Sequence, residues 1–161
     1  MDEFVLARVL HVLGVVLWIG GVAMVTTVLL PAVAKMKSAE ERVDFFEHIE
    51  SRFAAQARFT TLLVGLSGFY MMYILDGWNR FAEFHFWWMH AMVLVWVVFT
   101  LMLFVLEPWI LHKWFKARAQ SKPEKTFALI LRLHWFLLSI SVITVAGAVA
   151  GSHGWFFLEK W

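Results

Sequence analysis

The sequence predicts an all-α membrane protein, a single up-down-up-down four-helix transmembrane bundle with both termini on the outer side. Three observations carry this prediction. Of the 161 residues, 61% are hydrophobic and only 16% are charged, against about 45–50% and about 25% in soluble domains. Four long runs lack Asp, Glu, Lys and Arg altogether: 9–34, 59–75, 84–106 and 133–158. The cations between the runs are distributed unevenly.

Each run is long enough to cross a bilayer, for which about 17–25 apolar residues suffice. The expected helices are about 4–31, 55–75, 84–108 and 126–152. The first is too long for the apolar region of a signal peptide and no small-residue cleavage site follows it. The second is the shortest. The stretch 39–57 before it is amphipathic, suited to lie at the interface or to prolong the span. Pro108 is expected to close the third helix.

The loop 35–58 carries Lys35, Lys37, Arg42, Arg52 and Arg58 against Glu40, Glu41, Asp44, Glu47 and Glu50. The loop after Pro108 carries Lys113, Lys116, Arg118, Lys122 and Lys125 with Glu124 as its one acid, while 76–83 holds only Arg80. By the positive-inside rule the two basic loops are cytoplasmic and both termini are outside. In a Gram-negative bacterium that places the chain in the inner membrane with periplasmic termini. Trp78, Trp87, Trp88, Trp155 and Trp161 then mark the outer interface, and Trp109 and Trp114 the inner one. Residues 1–161 read as one domain.

The composition excludes a disordered chain, a nucleic-acid binder and an ordinary soluble enzyme. With no cysteine, thiolate nucleophiles, iron–sulfur clusters and Cys-ligated zinc are excluded too. No Ser-His-Asp set, paired-carboxylate site or phosphate loop lies in the spans.

Helical spacing places His11, Gly14, Trp18, Gly21 and Val25 on one face, and Arg58, Thr61, Gly65, Gly68 and Met72 on another. In helix 3 the face through the histidine is Trp87, His90, Leu94, Val97 and Leu101. In helix 4 it is His134, Ser141, Val145, Ala148 and Ser152. A histidine inside a span is costly and is a functional candidate. His11 lies about 10 Å below Phe4 and His90 about 9 Å below Phe84, at 1.5 Å per residue. Helices 1 and 3 are diagonal in such a bundle. Two imidazoles at one depth there have the arrangement of a bis-His haem b, one haem per chain. Gly14, Gly65 and Gly68 would give the macrocycle clearance, and Trp18 would stack on it or fill the core. Arg80, with Arg8 as a second candidate, would neutralise the propionates. His85, His153 and His134 are weaker ligand candidates. His134 is expected to be a neutral imidazole hydrogen-bonded in the inner half. His48 and His112 are expected to be solvated, and Glu107 to be a partner for Arg58 or Lys113.

Copper is the alternative cofactor. His11, His85, His90 and His153 with Met71, Met72, Met89 and Met92 are suitable ligand types, although no Met-x-x-x-Met or His-x-His cluster shares a face.

The run Leu10-His11-Val12-Leu13-Gly14-Val15-Val16-Leu17-Trp18-Ile19-Gly20-Gly21, closed by Leu30-Pro31, resembles the first helix of the CopD/HemJ-like superfamily of small membrane proteins. Trp88-Met89-His90 resembles the Trp-x-His start of that superfamily's third helix. Arg58 through Gly68 is similar to its second. The resemblance implies one of three chemistries: copper uptake of the CopD type, protoporphyrinogen oxidation of the HemJ type, or b-type cytochrome electron transfer. HemJ-type chains carry Arg after the Leu-Pro pair and Lys two residues after the third-helix histidine. Here those positions are Ala32 and Met92, which weakens the porphyrinogen reading. The expectation is an integral-membrane b-type haem protein. It would transfer electrons or carry out small-molecule redox chemistry at the outer side. The bilayer is its environment, and a quinone or a periplasmic redox protein its partner. Whether it is a catalyst or an accessory subunit, and whether it forms oligomers, stays open.

Overall fold

A computed structural model describes residues 2–36 and 38–155, apart from the side chains at 39, 111–113, 116 and 120. The expectations for Lys37, Trp161 and the side chains of His112, Lys113 and Lys116 lie outside the described residues. Every element among the described residues is helical. Three of the helices are long and apolar enough to cross a membrane: Asp2–Ala34, Phe84–Ile110 and Pro123–Ser152.

Helix α1 is Asp2–Ala34. A π-helical turn, Val25–Leu29, interrupts it just before Pro31. Proline has no N–H and its ring crowds the carbonyl four residues back, so an extra residue in the turn relieves the clash. Helix α2, Ala39–Ile74, is 36 residues long, about 54 Å at 1.5 Å per residue. Ser38 caps it, its hydroxyl accepting from the Glu41 N–H at 3.3 Å, with Glu40 and Glu41 favourably placed in the first turn. The amphipathic stretch 39–57 is thus continuous with the helix expected as the second span. Charges reach as far along α2 as Arg58 and leave only 59–74 uncharged, too short a stretch for the helix to count with the other three.

Two 3-10 turns, Gly77–Ala82 and Phe84–Phe86, lead into α3, residues 87–121. Asp76, at φ 46°, turns the chain out of α2. Helix α3 does not end at Pro108, as the sequence suggested. It continues in a π register, Met102–Leu111, and then as α-helix to Ser121. Helix α4, Pro123–Ser152, starts with proline in its first turn, where the missing N–H costs nothing.

Successive helices run antiparallel. Glu3 meets Tyr70 and Gly21 meets Phe53 between α1 and α2. Trp96 meets Thr61 and Glu107 meets Arg58 between α2 and α3. Trp88 meets Gly151 and Phe115 meets Phe127 between α3 and α4. Helix α1 also packs on α4. The end holding residues 2 and 152 is here the terminal end, and the opposite one the basic end. Two apolar clusters stack along the axis. Trp18, Val22, Val64, Val95, Phe99 and Leu138 form one. Val25, Leu29, Leu30, Val33, Val43, Phe46, Phe115, Ala119 and Phe127 form the other, toward the basic end.

The expected faces of α1 and α2 are the buried ones. That of α3 needs correction: Leu94, Val97 and Leu101 are exposed, and Trp88, Met89, Val95 and Phe99 are buried. Residues 87–106 are apolar on every side, so His90 was the only marker of a face, and it marks the wrong one. In α4 the buried stripe is Leu138, Ser141, Thr144, Gly147 and Gly151, while Val145 and Ser152 turn outward.

Candidate functional site

His11 lies on the buried face of α1, between Ala7 and Gly14. Its Nδ1 is 3.0 Å from the Val64 carbonyl oxygen and 3.2 Å from Ser67 Oγ, both on α2. A carbonyl oxygen only accepts, so Nδ1–H is the donor and Nε2 carries the lone pair. Metal-ligating histidines are held in this way, the distal nitrogen fixed by a backbone carbonyl and the other left to coordinate. Ser67 Oγ donates in turn to the Leu63 carbonyl.

His90 is placed differently. It is exposed, and Nε2–H donates to the Phe81 carbonyl at 2.9 Å. Its ring stands edge-on to Phe81, with centroids 5.4 Å apart. His90 thus fastens α3 to the 3-10 turn before it. The structure does not bring His90 to the interior face on which His11 lies.

The three glycines expected to clear a macrocycle are each filled by protein. A Cβ on Gly14 would come within 2.8 Å of Val64, and one on Gly65 within 2.6 Å of the Trp96 ring. A Cβ on Gly68 would lie 3.1 Å from the His11 ring itself. Trp18 is 3% exposed and meets Phe99 edge-on at 4.9 Å, filling the centre. The packing leaves open hydrogen bonds instead: Trp18 Nε1, Thr61 Oγ1 and Thr100 Oγ1 are buried without a partner. A haem sandwiched between His11 and His90 does not fit this packing. The donor chemistry of His11 alone does suit an axial ligand.

The remaining candidates have protein partners. The Arg80 guanidinium lies over the Phe86 ring at 5.5 Å. Arg8 is exposed. His85 Nε2 is 3.2 Å from Glu83. His153 Nδ1 bonds the Val149 carbonyl at 2.8 Å, at the end of α4. His134 Nδ1 bonds the Ile130 carbonyl of its own helix at 2.9 Å, the hydrogen-bonded imidazole that was expected. Among the described residues no group of three His, Cys, Asp or Glu side chains is placed to hold a metal ion.

Arg58 pairs with Glu107, as expected, and makes a second bond that no local pattern announces. Arg58 Nε donates to the Leu103 carbonyl at 3.0 Å. In a π register that carbonyl would receive the N–H five residues on, and residue 108 is a proline with none. Arg58 supplies the missing donor and an ion pair together, which lets α3 pass through Pro108 unbroken.

The chain matches no protein-family model, no curated protein and no solved structure.

Proposed function

We propose that the chain is an integral-membrane redox protein of the b-type haem kind, built as one four-helix transmembrane bundle with both termini outside. The observation that supports it most is His11. An imidazole within an uncharged 26-residue stretch is held by Val64 and Ser67 so that Nε2 keeps its lone pair. The resemblance of residues 10–31 and 88–90 to CopD/HemJ-like proteins supports the same reading, as does the basic character of the two loops at one end. Haem b would supply one-electron chemistry. His11 would hold it from α1, and Ser67 and Val64 would fix the tautomer and ring plane. His90 belongs to the proposal as opposite ligand only if binding draws it off the Phe81 carbonyl. Val64 and Trp96 would also have to withdraw from Gly14 and Gly65.

The test is an absorption spectrum of the detergent-purified protein, oxidised and reduced. A Soret band with reduced α and β bands is expected, lost in His11→Ala and kept in His48→Ala. No haem absorption in wild type, or full haem in His11→Ala, would overturn the proposal.

A further inference from the structure

A groove of about 390 Å³ runs along the outside of α1 and α2, lined by residues that include Val16, Gly20, Met24, Arg52 and Gln56. Its floor is made by two neighbouring glycines with opposite surroundings. A Cβ on Gly21 would meet the Phe53 ring at 2.2 Å, so Gly21 is there for helix packing. A Cβ on Gly20 would meet nothing within 4 Å. The open space beside Gly20 is therefore not used by the protein's own packing.

The charged residue lining this groove is Arg52. It is exposed, and its helical neighbours at three and four residues are His48, Ile49, Ala55 and Gln56, none of them an acid. No acid lines the groove, and the one described Arg ion pair is that of Arg58. Arg52 lies six residues from Arg58 toward the basic end, about 9 Å along α2. Arg58 borders the uncharged part of the helix, so Arg52 stands at headgroup depth if the chain spans a membrane. The groove runs from there past Gly20 to Val16 and Gln56, toward the uncharged part of α2.

We propose that this groove binds an anionic phospholipid of the leaflet around the basic end. Its phosphate pairs with Arg52, and an acyl chain lies over Gly20 against Val16 and Met24. A cation with no acid in reach calls for an anion, and the open apolar trough continuous with it calls for a chain. A second copy of the protein meets neither need, because a two-fold contact here would set Arg52 near Arg52 with no acid between them. The inference rests on the membrane reading and not on haem.

The experiment is native mass spectrometry of the detergent-purified full chain with phosphatidylglycerol or phosphatidylcholine of identical acyl chains. Wild type should retain the anionic lipid about fivefold better, the equivalent of about 1 kcal/mol for one cation near an anionic surface. Arg52→Gln should remove that preference, and Gly20→Leu should weaken binding of both lipids. Open space at Gly20 keeps that variant foldable, which circular dichroism checks, and Arg52→Gln lies on an exposed face. Equal retention of the two lipids by wild type would overturn the proposal, as would a preference that survives both variants. So would a dimer that Gly20→Leu dissociates. A chain that stays monomeric in water without detergent would overturn the membrane reading itself.

Discussion

The two ends of the molecule are packed by different rules. Toward the terminal end rings lie on glycines: Trp96 on Gly65, Trp87 on Gly147 and Trp88 on Gly151. Toward the basic end rings lie on rings. Phe46, Phe115 and Phe127 meet one another with centroids 5.4–5.8 Å apart, and the sequence has no glycine between 22 and 64 or between 78 and 146. Lipid tails are as apolar as leucine, so helices in a bilayer associate through close shape and small residues. In water, apolar burial is the dominant force holding helices together. If the chain spans a bilayer, the ring cluster has the packing of a core formed in water, as in a helical stub beyond the membrane. The charged outer side of α2 from Glu40 to Arg52 agrees with that.

The largest expected effect is at this core. Phe46 is 5% exposed. Phe46→Ala should lower stability by about 3–5 kcal/mol, the usual range for a large buried aromatic in a water-formed core. Thermal unfolding in detergent, followed by circular dichroism, measures it. A loss well under 1 kcal/mol would mean that the stub is not held by apolar burial, and the contrast between the ends would fail.

The junction between the ends should respond next. Arg58→Met leaves Glu107 unpaired and the Leu103 carbonyl without its donor. Breaking a fully buried pair costs about 3–5 kcal/mol. These side chains are 33% and 21% exposed, so about 1–3 kcal/mol is expected here. Arg58→Lys should fall between the two, since one ammonium reaches the acid but lacks the guanidinium's fixed fork. Equal stability of Arg58→Lys and wild type would show that the Leu103 bond contributes nothing.

At the terminal end, Gly65→Ala puts a methyl against the Trp96 ring, whose Nε1 is tied to the Thr61 carbonyl at 2.9 Å. Overpacking of this kind costs about 1–3 kcal/mol. Gly20→Ala, in open space, should be neutral or slightly stabilising, because alanine is the better helix former. Thermal shifts of the two variants side by side sharpen the comparison. If both lower the melting temperature alike, the loss at Gly65 does not come from the close approach of Trp96.

The same contrast explains what the sequence let one read. Uncharged runs located the apolar helices because burying a charge in lipid is costly. Glycines, Trp18 and Thr61 at helical spacing marked the inner faces of α1 and α2, and Arg58 and Glu107 marked each other. Helix α3 resisted because it is apolar all round, so no polar side told its lipid face from its inner one. The passage through Pro108 was hidden for another reason. It depends on a guanidinium 45 residues away in sequence, and local pattern carries no trace of that. The ring cluster was missed because Phe46, Phe115 and Phe127 come from three different helices and lie beyond the ends of their apolar runs. At the candidate site, the side chain of His11 was legible and its partners Val64 and Ser67 were not. The depth match with His90 measured distance along helices and took no account of direction around them.

His134 should show the smallest effect. Like His11 it is a part-buried histidine within an uncharged run, and it differs from His11 in one respect. His11 bonds a carbonyl of a neighbouring helix, whereas His134 bonds Ile130 of its own. That carbonyl already receives the backbone N–H of residue 134 in the α-helical pattern. His134→Ala therefore leaves no acceptor unsatisfied and breaks no contact between helices through its nitrogen. The loss should be at or below about 1 kcal/mol, the net worth of one ordinary hydrogen bond. If the haem proposal holds, the ratio of haem to protein should stay near one in this variant, by pyridine haemochrome assay against amino-acid analysis. His11→Ala should take that ratio to zero. A wild-type ratio near two that falls to one in His134→Ala would make His134 a ligand, and would place a second site toward the basic end, where the packing shows only a self-bonded imidazole.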